Sequence, residues 1–282
     1  MRIYGVDFTS APRRGKPITV AVCDFAGGVL HVRDYERLGD FAQFEAFLAR
    51  EGEWVAGLDF PFGQPRKLID NLGWPQDWED YVMLVDAMGK QAWVDTVKDY
   101  MALRPKGDKL HFRAADRLCN AQSPMKMSFV PVGRMFFQGA PRLAVSGANI
   151  LPNRPTDDPR TVLEVYPALV ARKLVGRGSK YKSDNRDQQT DMARRKREAV
   201  LDGLMAACEE LYGFSLDVPE ARQAALVDDP TGDMLDTVLG AVQAAWGYAQ
   251  RDRNYGIPVE ADPLEGWIVD PQLLESKGPN DG

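Results

Sequence analysis

"RIYGVDFTSAP" (residues 2–12) reads as a buried strand that ends in an acid. The run from Ile3 to Phe8 is interrupted only by Gly5 and Asp7, and the hydroxyls of Thr9 and Ser10 follow before Pro12. A carboxylate at the end of a buried strand needs a compensating partner, because an isolated buried charge is strongly disfavoured. "WVAGLDFPFG" (54–63) repeats the pattern and places Asp59 where the first run has Asp7. Two continuously apolar runs joined through a helical segment predict parallel strands covered on both faces.

The intervening sequence fits that frame. "PITVAVCDF" (17–25) and "VLHVRDYE" (29–36) predict two further strands, with Gly27-Gly28 as a hairpin between them. Asp40 then stands as an N-cap before apolar residues at 41, 44, 47 and 48, a helical period that Gly52 ends. Residues 64–158 break the rhythm and read as a largely helical insertion between the fourth and fifth core strands, with Trp74, Trp78 and Trp93 in its core. "TVLEVYPALVARKL" (161–174) predicts a fifth strand carrying Glu164 and turning into a helix at Pro167. Helices are expected at 188–212 and 229–250, the latter with Asp233 and Asp236 on one face of an early turn. "EGWIVD" (265–270) predicts a small terminal strand. Residues 1–270 are read as one α/β domain, and 271–282 as a frayed tail.

Bulk properties exclude several classes. With 44% hydrophobic and 27% charged residues, the chain has the make-up of a globular protein. No apolar run approaches the roughly 20 residues that span a bilayer. The chain opens directly on a strand, so no signal peptide and a cytoplasmic location are expected. Cys23, Cys119 and Cys208 are scattered without CxxC spacing, which argues against a disulfide framework or structural zinc. His31 and His111 are the only histidines, and both read as structural or surface residues. The net charge of −6 opposes broad nonspecific nucleic-acid binding. From Arg172 to Arg197, however, ten basic residues stand against three acids, enough to guide a polyanion or simply to line a solvated face.

The acids form a pattern. Asp7 and Asp59 end two strands, Glu164 lies on a third, and Asp233 and Asp236 begin a late helix. Groups at the C-terminal ends of parallel strands converge on one crevice. Several carboxylates sharing it would raise one another's pKa unless a cation neutralised them, and an all-oxygen set suits Mg²⁺ or Mn²⁺. Taken singly, each acid is as well explained by structure. Asp233 is an N-cap candidate, although Asp228, Asp229 or Thr231 could cap the same helix and leave Asp233 and Asp236 free. Arg113 and Asp116, one helical turn apart, read as a local ion pair.

"GVDFTSAP", "GLDFPFG", "VLEVYPA" and "DMLDTVLGA", followed by "EGWIVDP", resemble in order the family called domain of unknown function 429, a set of predicted nucleases within the ribonuclease-H-like superfamily. The resemblance implies a five-stranded mixed sheet, three antiparallel strands followed by two parallel ones, flanked by helices. It implies that Asp7, Asp59 and Asp236 are core metal ligands, completed by Glu164 and Asp233. On that view the acids are catalytic groups of a nuclease or phosphodiesterase holding one or two Mg or Mn ions. Its partner would be nucleic acid or a small phosphoester, with Ser10, Lys180, Lys182 and Arg186 as candidate substrate contacts. An actin-like ATPase or small-molecule kinase also carries a G-x-D strand. That reading lacks a second phosphate loop here, and Phe60 and Phe62 are bulky where small residues would be needed. A binding protein that kept the fold without catalysis is the remaining alternative.

Overall fold

In the computed structural model, which describes residues 1–128, 131–178, 180–183 and 185–275, strand β1 (Arg2–Asp7) lies at the centre of a mixed sheet. It is followed by β2 (Ile18–Ala26), β3 (Val29–Leu38), β4 (Trp54–Asp59), β5 (Asn149–Leu151), β6 (Arg160–Glu164) and β7 (Ser215–Asp217). The strand order is β5-β6-β4-β1-β2-β3-β7. β2 is antiparallel to both β1 and β3, whereas β4 runs parallel to β1 and β6 parallel to β4. The five expected core strands are present with the expected directions. Among the described residues the sheet nevertheless has seven strands, because β5 and β7, three residues each, extend its two edges. Segments that short carry no detectable period-2 signal, so the expected five-strand sheet was incomplete.

The helices are α1 (Phe41–Leu48), α2 (Arg66–Leu72), α3 (Trp78–Ala102, kinked at Gly89), α4 (Ala114–Cys119) and α5 (Val132–Val145). After β6 come α6 (Pro167–Val175), α7 (Asp191–Tyr212), α8 (Glu220–Asp228), α9 (Asp233–Ala249) and the short α10 (Gln272–Glu275). Asp40 caps α1 by accepting from the Gln43 amide at 2.9 Å, as its position predicted. The helix expected over 229–250 is present as α9 but starts at Asp233, because residues 229–232 form the turn that separates it from α8. "EGWIVD" forms a single parallel bridge from Ile268 to Glu164 rather than a strand. The tail expected to fray from 271 begins instead with α10, where Leu273 is buried; residues 276–282 lie outside the described residues.

Alternation along the central strands builds two cores. Ile3 of β1 and Val55 of β4 face α6, α7 and α9, while Tyr4, Val6, Ala56 and Leu58 face α1, α3 and α5. Burial on both faces explains the continuously apolar runs. Gly5 and Gly57 lie on the α9 face, and here the backbone comes very close. A Cβ on Gly5 would stand 1.9 Å from the Thr237 carbonyl oxygen, and one on Gly57 would stand 2.8 Å from that of Gly240. Absence of side chains at these two positions lets α9 seat directly on β1 and β4. That contact fixes where the first turn of α9 meets the strand ends. Trp74, Trp78 and Trp93 are all buried in the second core, as the sequence predicted. Among the described residues no helix is long and apolar enough to cross a membrane, and all three cysteines are free and buried.

Candidate metal centre

The parallel register of β1 and β4 sets Asp7 directly beside Asp59. Both share the parity of Gly5 and Gly57, so both side chains leave the sheet on the α9 face. Asp236, in the first turn of α9, arrives from above. One carboxylate oxygen from each of Asp7, Asp59 and Asp236 lies within 4.8 Å of the other two. Asp236 is buried, and the other two are partly so.

Asp229 accounts for the start of α9. Its carboxylate accepts from the Thr231 amide (3.1 Å), the Thr231 hydroxyl (2.7 Å) and the Met234 amide (3.0 Å). The orphan amides at the helix start are thereby partly satisfied without Asp233 or Asp236. Asp233 lines the same cleft but stands outside the mutually close trio.

The electrostatics record the crowding. Burial, then the neighbouring acids Asp233, Asp236 and Asp59, hold the Asp7 carboxyl well above the usual carboxylate range against the opposing pull of Lys182. Asp59 is pushed up to about 7, first by burial and then by Asp236, Glu164 and Asp233, with Lys182 again opposing. Burial also raises Asp233. Lys182 reaches in from the loop after α6, and its ammonium pairs with Asp236 Oδ2. Burial alone would lower its pKa, but Asp236, Tyr181, Asp7 and Asp59 together hold it well above the usual lysine value. The neighbouring Tyr181 hydroxyl donates to Asp236 Oδ1 at 2.6 Å. Two ammonium groups, Lys182 and Lys16, against Asp7, Asp59, Asp233 and Asp236 would leave a formal excess of two negative charges if all were ionised. The all-oxygen donor set and that uncompensated charge fit a hard divalent cation.

Glu164 belongs to a different cluster. Its partner across the parallel pair is Leu58, not Asp59, so it leaves the sheet on the opposite face. There Arg113 takes both carboxylate oxygens, Nη1 to Oε2 at 2.7 Å and Nη2 to Oε1 at 2.5 Å, and the Phe62 amide donates to Oε2 at 3.0 Å. Arg113 also pairs with Asp116, as its spacing suggested. Glu164, expected among the metal ligands, lines the same cleft but stands outside the mutually close trio, and its carboxylate is held by a buried guanidinium. Burial still raises its pKa, with Arg113 opposing.

The remaining candidates separate. Ser10 and Lys182 line the cleft, a cavity of about 550 Å³, together with Asp7 and Asp59. Lys180 is exposed and does not line it. Arg186 lines an adjoining cavity. His111, expected at the surface, is buried, its Nε2 2.7 Å from the Tyr100 hydroxyl. His31 pairs through Nδ1 with Asp217 at 2.8 Å. Sequence reading missed Tyr181, whose adjacency to Lys182 is the one hint it offers, and Lys16 and Thr231, which also line the cleft.

The chain belongs to the family described as Protein of unknown function (DUF429), whose family model matches residues 5–261. No curated protein and no solved structure gives a significant match.

Proposed function

We propose that this protein is a divalent-metal-dependent phosphodiester hydrolase, with Asp7, Asp59 and Asp236 holding Mg²⁺ or Mn²⁺. The observation that carries the reading is the convergence of these three carboxylates, within 4.8 Å of one another, at the C-terminal ends of two central parallel strands. The resemblance to predicted nucleases is in keeping with it. When bound, such an ion supplies Lewis acidity toward a phosphoryl oxygen and lowers the pKa of water.

The chain's own groups do the positioning. Asp7 and Asp59 are held by paired strands and Asp236 by a helix seated on glycines, so the three oxygens start in place without loop ordering. Lys182 brings positive charge into the cleft beside Asp236, where it can meet phosphate oxygens of a bound substrate. Ser10 offers a hydroxyl on the same rim. Phe8 and Phe60, both buried and in ring contact at 4.5 Å, back the cleft with an apolar wall.

The test is calorimetric titration of Mn²⁺ into the wild type and into Asp7→Asn and Asp236→Asn. Binding by the wild type that each substitution removes, together with Mn²⁺-dependent cleavage of an oligonucleotide or a chromogenic phosphodiester, is the expected result. Absence of wild-type binding, with and without oligonucleotide, would overturn the reading. Binding without cleavage of either substrate would instead identify a catalytically silent binding protein.

A further inference from the structure

Beside the acidic cleft lies a second cavity, of about 600 Å³, whose charge has the opposite sign. Arg13 and Lys16 from the β1–β2 loop, Arg37 from the end of β3 and Arg186 from the segment before α7 all line it. Its acids are Asp229 and Asp233. The Asp229 carboxylate is already occupied by three donors at the start of α9. Asp233 stands at the junction, because Lys16, Thr231 and Asp233 line both cavities. Among the described residues no carboxylate lies within ion-pair distance of Arg13, Arg37 or Arg186. The basic side chains come from separate parts of the chain and are held locally. Arg13 and Lys16 exchange backbone hydrogen bonds of 3.0 and 2.9 Å across a tight turn, and Arg37 Nη2 lies 3.5 Å from Met234 Sδ.

An acidic protein that gathers four cations in one concavity next to a carboxylate cluster has separated its charges by function. Oligonucleotide phosphates are attracted by such a concavity and repelled by the rest of the surface. A cavity of about 600 Å³ falls in the size range of ordinary ligand sites, and a flexible single strand can lay its backbone along a positively charged groove. We propose that this cavity receives phosphates adjoining the scissile one, so that the substrate is a single-stranded polynucleotide rather than an isolated phosphoester. The proposal rests on the hydrolase reading for the word scissile, but the binding it describes needs no metal.

The test is fluorescence anisotropy with a labelled single-stranded oligonucleotide in excess EDTA, across a salt series. The wild type is compared with the triple variant Arg13→Ala, Arg37→Ala, Arg186→Ala. Each phosphate contact on a single strand contributes about 0.7 to the slope of log affinity against log salt, so the variant's slope should be shallower by about 2. Between about 50 and about 200 mM salt the wild type should therefore lose about twentyfold more affinity than the variant. Equal affinity and equal slope in the two proteins, or no binding by the wild type, overturns the proposal. So does competition by a mononucleotide at the same concentration as the oligonucleotide, which would mark a site for one phosphate group. Because EDTA removes divalent ions, failure of the Mn²⁺ titration leaves this result standing, and the reverse also holds.

Discussion

Replacing Arg113 with Met should unfold much of the margin by which this protein is stable, and the cost can be worked from its contacts. The guanidinium is 1% exposed, and every one of its N–H groups is used. Nε and Nη2 donate to Asp116 at 3.0 and 2.8 Å, Nη1 and Nη2 to Glu164 at 2.7 and 2.5 Å, and Nη1 to the Glu265 carbonyl at 2.9 Å. Glu164 and Asp116 are themselves 2% and 1% exposed. Met fills a similar volume without charge and leaves two buried carboxylates facing each other. Breaking a buried pair by removing one partner costs about 3–5 kcal/mol, so a loss of about 4 kcal/mol is expected from a total of about 5–15. In urea this lowers the unfolding midpoint by roughly 1–2 M. The loss should also depend on pH. Arg113 opposes the rise in the Glu164 pKa that burial causes, so its removal lifts that pKa further above the unfolded value. A raised folded pKa gives stability that is present at low pH and lost as pH rises through it. The variant should therefore be penalised more at pH 7.5 than at pH 5, and the double variant Arg113→Met, Glu164→Gln should recover part of the loss. A loss below about 1 kcal/mol at pH 7.5, with no trend toward acid, would refute the assignment of Glu164 and Asp116 to Arg113.

Two further outcomes are expected. Gly5→Ala places a methyl 1.9 Å from the Thr237 carbonyl oxygen and 2.4 Å from the Ala241 amide, both backbone atoms, so α9 must lift from the sheet. A thermal melt should show a loss of about 3 kcal/mol, at the upper end for overpacking, and Mn²⁺ affinity should fall because Asp236 moves away from Asp7. The metal-free wild type should also gain stability between pH 7.5 and 5.5. Asp59, held near 7 by burial and by its acidic neighbours, takes up a proton in the native state that the unfolded chain does not. Its contribution to that gain is at most about 2 kcal/mol, and Asp59→Asn should abolish it in paired urea melts at the two pH values.

Sequence period and cap chemistry carried most of the architecture. The alternation in β1 and β4 also fixes the face on which Asp7 and Asp59 emerge, since both fall two residues after a glycine that α9 covers. Asp236 could be placed on an early turn of its helix from the apolar spacing that follows it. Glu164 could not be placed the same way. Its face depends on the register between β4 and β6, and sliding the pairing by one residue would have turned it toward Asp59 instead of Arg113. Alternation does not specify that register, because β4 is apolar on both faces and β6 has only Val162 and Leu163, one on each face, as its apolar residues. The partner that holds Glu164 on its face lies about 50 residues away in the chain, where Arg113 offers a fork to both carboxylate oxygens.

The basic cavity was hidden for a related reason. The dense run from Arg172 to Arg197 draws the eye, but its members disperse: Arg172 bonds to the carbonyls of Ala168 and Cys119, Arg194 to Asp228, and Arg197 to the carbonyls of Val227 and Tyr181. Among the described residues of that run, Lys182 alone reaches the acids and Arg186 alone lines the neighbouring cavity. The other cations there come from the short "RRGK" at 13–16 and from the isolated Arg37, both far from that run in the chain. Local density of charge is a property of the chain, whereas a binding surface is a property of the fold. In this protein the two coincide at two residues, and the acids and cations that share a rim are joined through Asp233, Thr231 and Lys16 at the start of one helix and one hairpin loop.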